Sequence, residues 1–211
     1  MVGRNLQAWS NVRVLALATA RNCSGTDPLA CDQIRFDDNP FVIVWFMSHA
    51  PPAANICMQS MISLTIANMR PVIDRGRKIN WGATSGDYAV FRPGPPDELY
   101  NRLRKLRIGL PGQRVLDLGT GVMARTYSRR GADVAGIDIA PEQIDEARRL
   151  ASAEQLTIDF RVAPAEEPPF ADRSFEVATA NQCFHYFDQE RVFAALRRIL
   201  VPAGRLVMSR P

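Results

Sequence analysis

The stretch of sequence that decides the fold is Val-Leu-Asp-Leu-Gly-Thr-Gly at residues 115–121. Residues 114–118, at the start of this stretch and mostly apolar, predict a short buried strand. Gly119-Thr120-Gly121 predicts a tight turn that leads into a helix over residues 122–130. Glycines in such a turn let the backbone approach a ligand closely and present N–H groups at the start of the helix. The stretch therefore indicates a ligand site at the end of a strand.

A second strand and its terminal acid extend this pattern. Residues 134–138 read as a strand that ends on Asp138. A carboxylate at that place can accept hydrogen bonds from the two hydroxyls of a ribose. The alternative is a purely structural turn followed by an ordinary strand-end Asp. The combination of strand, glycines, helix and distant acid favours a nucleoside ligand over that alternative.

The sequence around this unit alternates predicted helices and strands. Helices are predicted over residues 97–107, from Pro141 onward and around 192–200, and strands over 157–162, 175–180 and 205–208. Alternation of this kind implies a parallel sheet covered by helices on both faces. Right-handed crossovers then give an α/β fold, a Rossmann-like doubly wound sheet of about five strands.

The first third of the chain differs from the rest in its charged residues and in its number of turn-forming residues. Residues 1–68 contain four Arg and four Asp but neither Lys nor Glu, and turn-forming residues interrupt them repeatedly. One short strand over Phe41–Met47 and one helix over Ile56–Met69 are the elements that the pattern supports. We therefore predict an irregular N-terminal extension over residues 1–78 and a partial domain over residues 79–211.

Composition excludes several classes of protein. Apolar residues make up 46% of the chain and charged residues 23%, which is typical of a globular protein and unlike a disordered one. No apolar run approaches the roughly 20 residues that a membrane span needs. Four cysteines without a CxxC pair and only two histidines argue against a metal site and indicate a cytoplasmic, reducing compartment. Arginines fall at predicted helix ends rather than in a basic stripe, so we expect no nucleic-acid partner.

The identity of the nucleoside ligand is open between two classes. Gly119, Gly121 and Ala124 fit the pattern G-x-G-x-x-G/A, which is typical of NAD(P)-binding oxidoreductases. Asp117 argues against that class, because a carboxylate just before the glycines would repel phosphates. It would favour a cationic ligand, such as the ammonium and sulfonium groups of S-adenosylmethionine.

Several motifs in order resemble the class I S-adenosylmethionine-dependent methyltransferases, in their small-molecule, type-11-like branch. The resemblance covers residues 79–209 and rests on Trp81-Gly82-Ala83, Asp87-Tyr88, Arg92-Pro93, residues 115–121, Gly136-Ile137-Asp138, residues 165–170, residues 174–177, Asn181-Gln182 and residues 197–204. It implies a mostly parallel sheet, usually of seven strands. It also implies transfer of a methyl group to an oxygen, nitrogen, carbon or sulfur nucleophile of a small-molecule acceptor.

The resemblance also implies which residues bind the cofactor, S-adenosyl-L-methionine. They are Asp117, Gly119, Thr120 and Gly121 at its amino-acid end, Asp138 at the ribose, Ile139, Ala165 and Glu166 at the adenine, and Asn181 and Gln182 near the methyl group. It implies no metal ligand. The catalytic residue is unknown, and His185 is a weak candidate for a general base, with a packed or capping histidine as the alternative.

Three departures from the family pattern predict impaired activity. Met123 stands where the pattern has a third glycine, and the segment between Asp117 and Asp138 is about two residues short. Pro164 replaces an acid that often precedes the Ala165 position. The chain also stops just after the fifth predicted strand, so we expect the last two strands to be missing and that strand to be an exposed edge.

A non-catalytic Rossmann-like remnant is therefore a further alternative. The sequence leaves the acceptor and the oligomeric state open.

Overall fold

The computed structural model describes residues 13–17, 41–46, 94–119 and 121–210. Its strands are β1 Arg13–Leu17, β2 Phe41–Phe46, β3 Arg114–Leu118, β4 Asp133–Asp138, β5 Asp159–Val162, β6 Phe175–Asn181 and β7 Leu200–Arg210. Its α-helices are α1 Asp97–Lys105, α2 Val122–Arg129, α3 Pro141–Ala153 and α4 Gln189–Ile199, and a single 3₁₀ turn spans Phe184–Tyr186. The strands form one sheet in the order β1-β2-β7-β6-β3-β4-β5.

Five of these strands confirm the predicted Rossmann-like fold. Strands β3 to β7 are parallel to one another, and α-helices connect β3 to β4, β4 to β5 and β6 to β7. From β3 the chain proceeds outward to β4 and β5 on one side, and then returns to β6 and β7 on the other. The strand order therefore reverses between β3 and β6. In an open parallel sheet, the carboxyl ends of the strands at such a reversal form a ligand crevice.

The sheet is larger than the sequence predicted, because two N-terminal segments join it. Strand β2 pairs antiparallel with β7, from Phe41 opposite Arg210 to Phe46 opposite Arg205. Strand β1 pairs in parallel with β2. The prediction of a strand near residues 41–47 is confirmed, whereas the expectation that the fifth parallel strand would be an exposed edge is wrong. Local periodicity shows that a segment is a strand but does not show its partner.

Two other predictions on the N-terminal part of the chain have no structural test. The helix over residues 56–69 and the domain boundary near residue 78 both lie outside the described residues. Both stay predictions, although β1 and β2 come from the segment predicted as the extension. No helix in the described ranges combines the length and the apolar character needed to cross a membrane.

The core consists of two apolar layers, one on each face of the sheet. Neighbouring residues of β3 point to opposite faces, so Val115 belongs to one layer and Leu116 to the other. The first layer packs α1, α2 and α3 against the sheet through side chains such as Leu103 and Tyr127. The second packs α4 against the other face through side chains such as Leu196. Burial on both faces explains why consecutive residues of β3, such as Val115 and Leu116, are both apolar.

We predict that Val44→Pro destabilises the protein, because β2 lies between β1 and β7. The backbone N–H of any residue in a central strand donates to one of its neighbours, and proline removes that donor. The free energy of unfolding should fall by about 1–3 kcal/mol, the cost of leaving the acceptor of that hydrogen bond unpaired. Chemical denaturation of Val44→Pro and of Val44→Thr, which keeps the N–H, measures the difference. Equal stability of the two variants would contradict the position of β2 inside the sheet.

Candidate active site

The carboxylate of Asp117 holds the turn that follows β3. Asp117 is 1% exposed. Its Oδ1 accepts a hydrogen bond of 2.6 Å from the hydroxyl of Thr179 on β6. Its Oδ2 accepts from the backbone N–H of Ala124 at 3.2 Å and of Gly121 at 3.4 Å. One buried side chain therefore connects β3, β6 and the first turn of α2, and its charge is balanced by donors at a helix N-terminus.

Gly119 lies against the segment that follows β6. Its φ is +63°, a conformation that L side chains rarely adopt. A Cβ atom at Gly119 would lie 2.9 Å from the Sγ of Cys183 and 3.0 Å from its Cβ. Cys183 is held in place because its thiol donates to the carbonyl of Leu118 at 3.1 Å. Both the backbone conformation and the close approach therefore require glycine here.

The Cys183 thiol is a packing group. Burial, followed by the charges of Asp117 and Asp138, raises its pKa well above the usual value. Thiols of this kind are poor nucleophiles near neutral pH, because the thiolate is the reactive form.

The helix begins directly after the second glycine of the turn. Gly121 is the N-cap of α2, and no atom of the described residues lies within 4 Å of where its Cβ would be. Met123, at the position of the family's third glycine, is 1% exposed and packs in the core. Its Sδ lies 4.0 Å from the hydroxyl oxygen of Ser209. Among the described residues the space beside Gly121 is therefore open to a ligand, whereas Met123 is part of the core.

Asp138 and two exposed aliphatic side chains lie together where β4 and β5 end. Asp138 is half-buried, and the N–H of Ala140 donates to its Oδ1 at 2.9 Å. Burial raises the pKa of Asp138, and hydrogen bonds from the backbone of Ala140 and Ile139 oppose that rise. Ile139 is 62% exposed and Val162, which is paired with Asp138 in the sheet, is 47% exposed. This corner offers a carboxylate beside an apolar surface.

Asn181 and Gln182 are fixed at the end of β6. The side-chain Oδ1 of Asn181 accepts a hydrogen bond of 2.8 Å from the hydroxyl of Ser209 on β7. The backbone N–H of Gln182 donates to the carbonyl of Ser209 at 2.9 Å, and the φ of Gln182 is +62°. The end of β6 is thus tied to β7, beside the turn that Asp117 holds.

The remaining predicted residues are Ala165, Glu166, His185 and Thr120. Ala165 is buried, and the Oε1 of Glu166 accepts from the N–H of Asp188 at 2.7 Å, just before α4. The ring of His185 lies 3.9 Å from the ring of Tyr186, centroid to centroid. Thr120 lies outside the described residues. No group of three His, Cys, Asp or Glu side chains suited to a metal is found in the described part of the chain.

The structure therefore brings together most of the predicted residues at one edge of the sheet. Asp117, Gly119 and Gly121 follow β3, Asp138 and Ile139 follow β4, and Asn181 and Gln182 follow β6. Sequence reasoning missed Thr179 and Val162. Thr179 carried a signal, since it is a polar residue in an otherwise apolar stretch of a buried strand and lies directly opposite Asp117.

We predict that Gly119→Ala is more destabilising than the matched substitution Gly112→Ala. Gly112 has a φ of +71°, and no atom in the described part of the chain lies within 4 Å of the place its Cβ would occupy, so alanine there adds backbone strain of about 1–2 kcal/mol. Gly119→Ala adds the same strain and the contact with Cys183, which should cost about 1–3 kcal/mol more. Urea denaturation of both variants measures the difference. Equal losses would show that the turn does not pack tightly on Cys183.

Comparison with known proteins agrees with this geometry. Residues 116–208 match the model of a family described as a methyltransferase domain. A demethylmenaquinone methyltransferase of Thermus thermophilus is 42% identical over 101 residues, which are 46% of this chain and 46% of that protein. A ubiquinone biosynthesis O-methyltransferase of Cereibacter sphaeroides is 38% identical over 111 residues, or 50% of this chain and 45% of that protein. The chain spans about half the length of the curated relatives it matches.

A solved structure supports the same assignment. A protein of Galdieria sulphuraria, provisionally named a sarcosine dimethylglycine methyltransferase, superposes with a TM-score of 0.50 at 25% identity. The superposition covers 53% of this chain and 44% of that one. The turn, the strand order and the family match all concern the same stretch, from β3 to β7. Over this stretch the chain is similar to methyltransferases in both sequence and fold.

Proposed function

We propose that the crevice at the ends of β3, β4 and β6 binds S-adenosylmethionine and that the chain methylates a small-molecule acceptor. One observation carries the proposal: the glycine turn held by Asp117 lies beside Asp138 at the carboxyl ends of adjacent parallel strands. The turn leaves open space next to Gly121. A ligand with a cationic amino-acid end and a ribose fits these two features together.

Each residue would then act on one part of the cofactor. Backbone atoms of Gly119, Thr120 and Gly121 would contact the amino-acid end, and Asp117 would act through the turn that it holds. The Asp138 carboxylate would accept hydrogen bonds from the ribose hydroxyls. Apolar contact with the adenine would come from Ile139 and Val162, with Ala165 and Glu166 at its border. When bound, S-adenosylmethionine supplies a methyl group activated by its sulfonium.

The groups near the methyl would position the acceptor rather than activate it chemically. Asn181 and Gln182 are held by β7 at the place where acceptor and cofactor would meet. Orientation of two reactants in this way can provide much of a rate enhancement. His185 stays the candidate for a general base.

The hydrogen bonds of Asp117 disfavour the alternative of an NAD(P)-binding oxidoreductase. A dinucleotide pyrophosphate binds to unpaired N–H groups at a helix N-terminus. In this chain two such groups, those of Gly121 and Ala124, already donate to the Asp117 carboxylate. A phosphate at that place would compete with a buried carboxylate for the same donors and would be repelled by its charge.

The acceptor is proposed from the relatives and the location from the cysteines. The names of two relatives refer to demethylmenaquinone and to ubiquinone biosynthesis, which supports a small molecule as acceptor. Nothing in the charge pattern favours nucleic acid. We also propose a cytoplasmic location, because the cysteines show no disulfide-like spacing and Cys183 is a free thiol.

Isothermal titration calorimetry on the full chain tests the cofactor. We expect S-adenosylmethionine and S-adenosylhomocysteine to bind and NAD to show no heat of binding. Binding of NAD without the sulfonium compound would overturn the proposal. A folded chain that binds none of the three would instead be a non-catalytic Rossmann-like domain.

Asp138→Asn should separate stability from binding. Because burial raises the pKa of Asp138, ionising it in the folded protein costs stability, and this cost grows as the pH rises through the raised pKa. Asparagine does not ionise and keeps an oxygen for the N–H of Ala140. The variant should therefore be at least as stable as the natural chain at pH 7, with the difference shrinking below the usual pKa of Asp.

The same variant should bind the cofactor less well. Loss of a charge-assisted hydrogen bond to the ribose should weaken S-adenosylhomocysteine binding about tenfold or more. Thermal unfolding between pH 3 and pH 8 and calorimetry at pH 7 provide the two measurements. Unchanged affinity would exclude Asp138 from the ribose site.

A further inference from the structure

The buried polar side chains of the described residues are concentrated where the central strands end. The four are Asp117, Thr126, Thr179 and Ser209. Three of them lie on adjacent strands, because β6 lies between β3 and β7. These three share one face of the sheet, since each lies two residues beyond a valine of the first apolar layer. The bond between Thr179 and Asp117 holds the glycine turn, but Ser209 takes no part in it and has another partner.

The hydroxyl of Ser209 determines which end of the Asn181 amide faces β7. It donates to the Oδ1 of Asn181 over 2.8 Å, whereas the Sδ of Met123 lies 4.0 Å away and is a weak acceptor. A hydroxyl has one proton to donate, so this proton goes to the amide oxygen. Because the two ends of a planar amide diverge from one carbon atom, the NH₂ group is directed away from β7.

The NH₂ group of Asn181 is an available donor. Its Nδ2 atom has no hydrogen-bond partner among the described residues and is not one of their fully buried unpartnered atoms. Ala180 is paired with Leu118, and the next residues of these two strands are Asn181 and Gly119. The amide therefore leaves the sheet next to the glycine turn, with β7 on its other side.

The glycine turn alone leaves a ligand carboxylate short of donors. An ionised carboxylate has about four acceptor sites. The N–H groups of Gly121 and Ala124 at the start of α2 already donate to Asp117. The charge of Asp117 attracts the ammonium of an amino acid and repels its carboxylate. A ligand with both groups therefore needs a further donor for its carboxylate, on an element other than α2.

We propose that Ser209 orients the Asn181 amide so that its NH₂ group donates to the carboxylate of the cofactor's amino-acid end. This rests on the proposed function, because it requires that the crevice binds S-adenosylmethionine. Asn181 is the residue that contacts the ligand. Ser209 is 4% exposed and acts through Asn181, so it is a positioning residue. A donor that is oriented before binding loses little conformational freedom when the ligand arrives.

Two compounds that differ in one group test the role of Asn181. Isothermal titration calorimetry on the full chain compares S-adenosylhomocysteine with its decarboxylated form, in which hydrogen replaces the carboxylate. The natural chain should bind S-adenosylhomocysteine about tenfold more tightly, as expected for one charge-assisted hydrogen bond. Asn181→Asp still accepts from Ser209 but places an oxygen where the NH₂ group was. It should lose the preference, because it offers an acceptor in place of the donor.

Substitutions of Ser209 separate positioning from packing. Ser209→Ala frees the amide to rotate and should reduce the preference about threefold, with the affinity for the decarboxylated compound unchanged. Ser209→Thr keeps the hydroxyl and should keep the preference. In an Asn181→Ala chain, Ser209→Ala should have no further effect on the preference, because the two residues act as one unit. A purely structural role of Ser209 would weaken the binding of both compounds alike.

The use of both compounds separates failure of this proposal from failure of the proposed function. Equal affinity of the natural chain for the two would overturn the role of Asn181 alone, as would an unchanged preference in Asn181→Asp. The role of Ser209 would be overturned by an unchanged preference or by equal losses for both compounds in Ser209→Ala. A loss of preference in Ser209→Thr as large as in Ser209→Ala would do the same. A natural chain that binds neither compound would overturn the proposed function, and this proposal with it.

Discussion

The hydrogen bonds accepted by the Asp117 carboxylate are the constraint on which the rest of the site depends. A buried charge is costly unless donors surround it, and this carboxylate has the hydroxyl of Thr179 and two N–H groups at the start of α2. Because these donors belong to different elements from the carboxylate, satisfying the charge fixes how β3, β6 and α2 meet. The crevice exists at this meeting point, since the strand order reverses between β3 and β6. The carboxylate also accepts hydrogen bonds from the N–H groups of Gly121 and Ala124, which a phosphate would need.

Much of the fold was predictable because local signals agree with the tertiary structure. The strand over Arg114–Leu118 and the start of α2 match the sequence prediction, since a mostly apolar strand buried on both faces is followed by glycines. The same holds for Asp138, which does end β4. The prediction for β7 was less complete. The predicted strand begins at Arg205, whereas the observed strand begins at Leu200, before a register shift in its pairing with β6.

The candidate site was harder to predict where function depends on exposure or on long-range pairing. Thr179 matters because it lies opposite Asp117, a register that becomes visible once β6 and β3 are paired. Val162 matters because it is apolar and unburied, which no periodicity reveals. Glu166 shows the converse: the family pattern suggests the adenine, and the structure shows its carboxylate bonded to the backbone before α4. Residue types indicate candidates for ligand binding, and the packing of the fold determines which groups each candidate side chain can contact.

The pairing of β2 with β7 has a consequence for how the chain reaches its native state. The two strands are far apart in the sequence, and Phe41 lies opposite Arg210. During synthesis β1 and β2 emerge first, yet the ladder that accepts them cannot form until β7 has left the ribosome. Contacts this distant in sequence slow folding, and an apolar strand that waits without a partner is open to misassociation. Completion of the sheet is therefore expected to be a late, slow step that follows assembly of the central parallel strands.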